Sequence, residues 1–257
     1  IAALPKELKS KVLLATKIPP KNRVWPAQPG AGIDDVFPYD YAIQCTEESL
    51  RNLGVETIDL QQFHVWNPEW LERDEWRRAI EDLKKSGKVR YMGISINDHQ
   101  PDSALGIIET GLIDTVQVIY NIFDQSPETN LFPACQKRNI GVLARVPLDE
   151  GSLTGTISSD TQFDPGEFRA WYFRDDRKKQ VVEKVDALKK DLETVPGTLA
   201  EIALRFCITH PAVSTVIPGM RRISTVESSC GVSDTGPLPA GIVTILKQHA
   251  WAKNFYQ

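Results

Sequence analysis

A (β/α)8 barrel is the fold class that this α/β sequence predicts, with about six of its eight strands inside the chain. Three observations carry that expectation. Strand-like apolar runs alternate with helical stretches along the 257 residues, a rhythm that implies parallel strands joined by right-handed crossovers. The runs are nearly continuous in apolar residues, so both faces of the sheet should be covered. Polar or ionisable residues close several of the runs, and in a barrel those ends converge on one mouth. A doubly wound dinucleotide fold should instead carry G-x-G-x-x-G after its first strand, and no such motif occurs.

In chain order the predicted strands are KVLLAT (11–16), TIDLQQF (57–63), VRYMGI (89–94), TVQVIY (115–120), GVLAR (141–145) and VSTVI (213–217), each rich in β-branched or large apolar residues. Residues 13–18, LLATKI, enclose Lys17 in small and apolar neighbours and read as a buried strand ending on a charge. The helical stretch TEESLRNLG should open on a Thr46 cap, with acids in its first turn, and stop at Gly54. EWRRAIEDLKKSGK spaces Trp76, Ile80 and Leu83 along one face and ends in a basic turn followed by Gly87. GTLAEIALRFCITHP repeats the pattern and is cut off by Pro211. One domain over residues 1–257 is expected.

With 41% hydrophobic and 25% charged residues, the chain has the composition of an ordinary soluble globular protein. A net charge of -4 and a pI near 5.7 give no electrostatic reason to expect nucleic acid or an anionic membrane as partner. No apolar run approaches the roughly 18 residues that span a bilayer, and the opening IAALPKELKSK lacks the basic-then-apolar layout of a leader. Cys45, Cys135, Cys207 and Cys230 are dispersed, so neither a disulfide framework nor a zinc site is expected. A reducing, cytoplasmic setting is the expectation.

The strand ends hold the candidate chemistry: Lys17, His64, Ser95 with Asn97, Gln117 with Asn121, and Arg145. Each alone has a bland reading. A lysine after a strand is commonly a solvated end, and Gln117 and Asn121 could serve loop backbone groups. Five such ends aimed at one mouth favour a site. Cys135, Trp76 and Leu188 read as packing residues, and His99, His210 and His249 lack partners at metal-ligand spacing, so no metal is expected.

Beyond these local patterns, VLLATKI, ESLRNLGVETIDLQQFHVW, SGKVRYMGIS, VQVIYNIFDQ, IGVLARVPLDEGSLTG and AEIALRFCITHPAVSTVIPGMR, in this order and spacing, resemble the aldo-keto reductase family from near the start of the chain to about residue 230. The resemblance implies a barrel that reduces small-molecule aldehydes or ketones with NADPH. It implies that Lys17 and His64 assist a tyrosine proton donor, together with an aspartate. Hydride attack leaves negative charge on the carbonyl oxygen, which a nearby cation and hydrogen-bond donor stabilise, and a lysine beside a phenol lowers its pKa. Ser95 and Gln117 match positions that hold the nicotinamide carboxamide. The asparagine that normally follows the serine is Ile96 here, with Asn97 one place later.

Pro147, Leu148, Gly151 and Leu153 match the loop along the pyrophosphate, and Arg145 stands where many members stack an aromatic ring. Its guanidinium suits either stacking or an anion. IPGMRRISTVESS (217–229) resembles the turn that holds the adenosine 2′-phosphate, with Gly219, Met220, Arg221, Arg222, Thr225 and Ser229 as its residues; the arginine pair favours NADP over NAD. Trp66 and the loop 22–41 are expected to wall the substrate pocket, which suits a bulky or aromatic carbonyl.

The match begins inside the family's second helix, so the first two βα units, with their aspartate and tyrosine in a D-T-A-x-x-Y-G-like stretch, have no counterpart here. Tyr39 and Tyr41 are placed in the loop after the Lys17 strand, with no motif reason to promote either. A barrel short of two strands exposes unpaired edges, so the segment alone is expected to be aggregation-prone and inactive. The alternative to a reductase is a non-catalytic NADP-binding module, a sensor or scaffold, or a truncated inactive relative.

Overall fold

Strands and helices follow one another much as the sequence predicts. The computed structural model describes residues 4–9 and 11–257; part of the opening segment read for a leader, residues 1–3 and 10, lies outside the described residues. The chain divides into two compact units, one holding the residues up to Val118 with Asn130–Gly141, the other Ile119–Thr129 with Val142–Gln257.

In the first unit β1 (Ala15–Ile18), β2 (Ile58–Phe63), β3 (Val89–Ser95) and β4 (Thr115–Ile119, its last residue assigned to the second unit) pair in parallel in sequence order. The register sets Ile18 beside Phe63, Phe63 beside Ile94 and Ile94 beside Val116. All four are buried. Successive side chains of a strand point to opposite faces, so the intervening row of Lys17, Gln62, Gly93 and Thr115 looks the other way. The apolar face is closed by helices: Phe37, just before helix Tyr39–Leu53, meets Phe63 at 4.9 Å between ring centroids. Gln61 donates to Thr46 of that helix at 3.1 Å.

β1 is shorter and later than predicted. Its ladder starts at Ala15, and Val12 and Leu13 are 38% and 83% exposed rather than buried. Among the described residues, only β2 pairs with β1, and Leu14 is tied to it through the Leu60 N–H and the Asp59 carboxylate, both at 2.9 Å. Lys17 accordingly sits inside the strand and is half-buried.

Helix Tyr39–Leu53 also departs from expectation. It starts after Pro38, and Thr46 is buried in mid-helix, its hydroxyl donating back to the Ala42 carbonyl at 2.9 Å. Tyr39 and Tyr41 are therefore helical residues. The predicted end holds: Gly54 adopts φ 66, ψ 43, and its N–H meets the Leu50 and Arg51 carbonyls. Helix Glu75–Lys85 buries Trp76, Ala79, Ile80 and Leu83 on one side, as its spacing predicts.

The second unit contains β5 (Gly141–Arg145, its first residue assigned to the first unit), paired in parallel with β6 (Val213–Val216) across one register irregularity. Helix Arg177–Asp191 buries Val181, Val185 and Leu188. Helix Leu199–Thr209 opens on a capping box made by Thr198 and Glu201 and buries Ile202, Leu204 and Phe206. Phe206 stacks on Tyr120 at 5.4 Å. His210 accepts the Ala212 N–H through Nδ1, and His249 meets Asp191 at 3.0 Å, so both have structural partners. No helix among the described residues is long and apolar enough to cross a membrane.

Gly93 is the tightest point of the polar face. A Cβ there would lie 2.1 Å from Thr115 Oγ1 and 2.8 Å from the Thr115 carbonyl oxygen. Gly93→Ala should destabilise the protein by about 1–3 kcal/mol through overpacking, read as a lower urea midpoint. Adding Thr115→Ala should recover only part of the loss, because the carbonyl remains.

Candidate active site

The polar face of the first unit gathers four of the sequence-predicted residues, Lys17, His64, Ser95 and Gln117. Ser95 and Gln117 are direct cross-strand partners on β3 and β4, 3% and 4% exposed. Gln62, two positions before His64 and fully buried, donates its amide N–H to Gln117 Oε1 at 3.3 Å. Lys17 is the register partner of Gln62. His64 continues β2 by one backbone bond, its N–H reaching the Ile18 carbonyl at 3.1 Å, and its ring meets Trp25 edge to face at 5.7 Å. A buried polar row on a sheet is costly unless its groups are hydrogen-bonded. Two of its atoms, Gln62 Oε1 and Thr115 Oγ1, are buried with no hydrogen-bond partner among the described residues.

Trp25 arrives on the loop 22–32, which is fastened to the segments following β2 and β3. Gly30 N–H donates to Glu69, Asn67 donates to the Gln28 carbonyl, and Trp70 Nε1 donates to the Ala31 carbonyl at 2.7 Å. Asn97 completes the attachment. Its Oδ1 accepts the Ala27 N–H at 3.2 Å, while Nδ2 donates to the Ala27 carbonyl and to Gln100, both at 3.3 Å. An amide has only two N–H donors, so Asn97 spends one on the loop and the other on Gln100, and its side chain reads as an anchor. Ile96, in the usual asparagine position, is buried. Trp66 is 1% exposed and meets Trp70 and Trp76 edge to face at 5.8 and 5.4 Å, a core position.

Within the second unit the segment after β5 is sharply turned. Val146, Asp149 and Glu150 have φ of 54, 48 and 55, and Gly151 has φ of 109. Asn121, fully buried, holds this segment: Nδ2 donates to the Val146 carbonyl while Oδ1 accepts the Phe123 and Asp124 N–H groups, all at 2.9 Å. Its bland reading as a backbone organiser holds. Pro147 and Leu153 are buried, while Leu148, Gly151 and Arg145 are half-buried. The Arg145 charge acts on the Tyr256 phenol.

Arg221 and Arg222 are exposed just before helix Ile223–Thr235, whose N-cap, Arg222, makes no side-chain capping bond. Gly219 and Met220 are exposed beside them; Thr225 and Ser229 are half-buried. Arg169, which no local pattern marked, bonds Glu167 at 2.5 Å and holds its carboxyl below the usual range, with a smaller pull from Arg221. It also approaches the Gly151 turn, where Nη1 lies 3.9 Å from the place a Cβ would take.

Five phenols, those of Tyr39, Tyr41, Tyr120, Tyr172 and Tyr256, are held above their usual pKa. Tyr39 donates to Asp82 at 2.7 Å and is held above its usual pKa chiefly by that bond. Burial pushes Tyr41 up to about 12, and burial first of all raises Tyr120, Tyr172 and Tyr256 as well.

The sequence model described as "Aldo/keto reductase family" matches residues 2–250. The aldo-keto reductase yakc [NADP(+)] of Schizosaccharomyces pombe is 26% identical over 200 residues, covering 75% of this chain and 57% of that protein. The NADH-specific methylglyoxal reductase of Escherichia coli is 29% identical over 177 residues, covering 66% of this chain and 52% of that protein. The chain thus spans somewhat over half the length of these relatives. Among solved structures, the holo form of an aldo-keto reductase of Bacillus halodurans is similar with a TM-score of 0.72 at 27% identity, covering 95% of this chain and 75% of that one. This likeness and the parallel strands bear out the expected α/β barrel class.

Replacing Asn97 with alanine should free the Ala27 N–H and loosen the loop that carries Trp25. Hydrogen exchange over residues 22–32 should quicken at least about fivefold, the loss of about 1 kcal/mol of hydrogen bonding, while exchange in β3 stays unchanged. Unaltered exchange in the loop would show that Asn97 is not its anchor.

Proposed function

Because the chain belongs to the aldo/keto reductase family, we propose that the protein carrying it reduces aldehydes or ketones to alcohols with a nicotinamide dinucleotide, NADPH in preference to NADH. The observation that carries this reading is the cross-strand pair Ser95 and Gln117, buried on the same polar face of the sheet as Lys17. A carboxamide needs both a donor and an acceptor, and a hydroxyl next to a side-chain amide offers both. The donor set therefore fits the group. When bound, the dihydronicotinamide supplies the hydride.

Lys17 provides the positive charge that offsets the charge developing on the carbonyl oxygen, and His64 provides a polar donor that orients the carbonyl. Trp25, edge-on to His64, offers an apolar wall for the substrate and helps exclude water. In the second unit Arg145, Pro147, Leu148, Gly151 and Leu153 suit the pyrophosphate, since turned backbone with φ above zero presents N–H groups to anions. Gly219, Met220, Arg221, Arg222, Thr225 and Ser229 suit the adenosine and its 2′-phosphate, at the exposed start of a 13-residue helix. The named cofactors of the relatives point both ways. Preference for NADPH thus rests on the two arginines.

Quenching of tryptophan fluorescence by NADPH and NADH tests the cofactor. Charge-assisted bonds from Arg221 and Arg222 to a 2′-phosphate should favour NADPH by about 1.5–3 kcal/mol, about 10- to 150-fold in Kd. The preference should vanish in Arg221→Ala/Arg222→Ala. Equal affinity for both dinucleotides in the unsubstituted protein would overturn it.

Turnover is tested by oxidation of NADPH against a panel of aldehydes and ketones, in the protein as it occurs. Lys17→Met should lower kcat by about 10²–10³, the scale of losing one group that stabilises the oxyanion, with Kd for NADPH changed by less than about threefold. Normal turnover in Lys17→Met would make the strand charge structural, and tight NADPH binding with no reduction of any carbonyl would favour the non-catalytic module.

A further inference from the structure

The turn Val146–Gly151 places three residues other than glycine at φ between 48 and 55. Such backbone persists only where its surroundings over-determine it. Its own sequence does not supply the cause, and it carries two adjacent carboxylates, Asp149 and Glu150, a poor choice beside a phosphate. Both acids are taken up by the last stretch of the chain, Trp251–Tyr256, which lies past the residues that the family model matches.

Lys253 Nζ donates to both Asp149 oxygens, at 2.8 and 2.9 Å, and to the Tyr172 hydroxyl at 3.0 Å. Side chains of the pair are each only 6% exposed. The ammonium also lies over the rings of Phe255, Tyr172 and Trp251, at 4.5, 5.2 and 5.2 Å, where a partly desolvated cation is attracted to the aromatic faces. Tyr256 donates to Glu150 Oε1 at 2.6 Å. The strap is itself tied down: Trp251 N–H donates to the Phe123 carbonyl at 2.8 Å, and Arg177 donates to the Phe255 carbonyl at 2.7 Å.

We propose that this C-terminal strap is a positioning element for the dinucleotide, in which Lys253 neutralises Asp149 and the Tyr256 hydroxyl fixes the Glu150 carboxylate in place, so that the 146–155 turn meets a pyrophosphate with less repelling charge and in one arrangement. The inference rests on the reading of that turn as the pyrophosphate loop. Lys253 and Tyr256 touch no ligand in this scheme; they act through the two acids. Removing the ammonium leaves a carboxylate buried without its counter-charge, which both unsettles the turn and repels a phosphate.

The test compares Lys253→Met, Lys253→Arg and Asp149→Asn/Lys253→Met with the unsubstituted protein. Kd is measured for NADPH and for adenosine 2′,5′-bisphosphate, which lacks the pyrophosphate bridge, with thermal melting alongside. In Lys253→Met the Kd for NADPH should rise about tenfold, the equivalent of about 1.4 kcal/mol, with the bisphosphate changed by less than about twofold. Lys253→Arg should lose less. The double substitution, which removes the unpaired charge as well, should recover most of the affinity. A merely structural Lys253 would move melting and both ligands together, with no recovery in the double variant. That outcome, or NADPH affinity unchanged in Lys253→Met, overturns the strap's role while leaving the loop assignment standing; an unsubstituted protein that binds no NADPH overturns the loop assignment and the strap with it.

Discussion

Parallel pairing of β1 to β4 is the constraint on which the first unit's chemistry depends. Once Lys17 is set beside Gln62, Gln62 beside Gly93 and Ser95 beside Gln117, the face each side chain occupies is no longer free, because a slip of one residue would turn every one of them over. The apolar row Ile18, Phe63, Ile94 and Val116 enforces that register by needing burial under the helices. Polar residues on the opposite row are thus held in place by hydrophobic residues that face the other side of the sheet. Gly93 matters for the same reason, since a side chain there would collide with Thr115 and force β3 and β4 apart.

A different economy governs the second unit. Its turned loop is stabilised by polar groups acting at a distance in sequence, with Asn121 gripping the Val146 carbonyl and Lys253 reaching Asp149 across 104 positions. An ion pair so well buried is weak support for stability, because desolvation offsets much of the attraction. Its value lies in specifying one arrangement of a strained segment. Charge is therefore arranged in two ways here, buried and compensated at Asp149, exposed and available at Arg221 and Arg222.

Much of this was legible in the sequence, and the parts that were not share physical causes. β2 and β5 are found almost where apolar runs predict, because buried parallel strands leave a continuous signal. β1 was misjudged because exposed Val12 and Leu13 carry the same composition as a core strand while lacking its partners. Thr46 looked like a cap because cap residues and mid-helix threonines differ only in what lies upstream, here the start at Pro38. The sequence does not disclose that Ser95 and Gln117 are cross-strand partners, nor that the Asn97 amide turns to the Ala27 backbone, because both depend on how strands and loop meet in space. Trp25 falls within the loop expected to wall the pocket, whereas Arg169 and Lys253 left no local signal. Each acts through a partner that spacing along the chain does not disclose.

If Ser95 and Gln117 receive the carboxamide of a nicotinamide ring, as we propose, titration of 15N-labelled protein with NADP+ will register it at the side-chain amide of Gln117 without requiring turnover. The account predicts a saturable shift of the Gln117 Nε2 resonances, reproduced by NADP+ and absent with adenosine 2′,5′-bisphosphate, which has no nicotinamide. Saturable binding of NADP+ that leaves the Gln117 amide unmoved would contradict it.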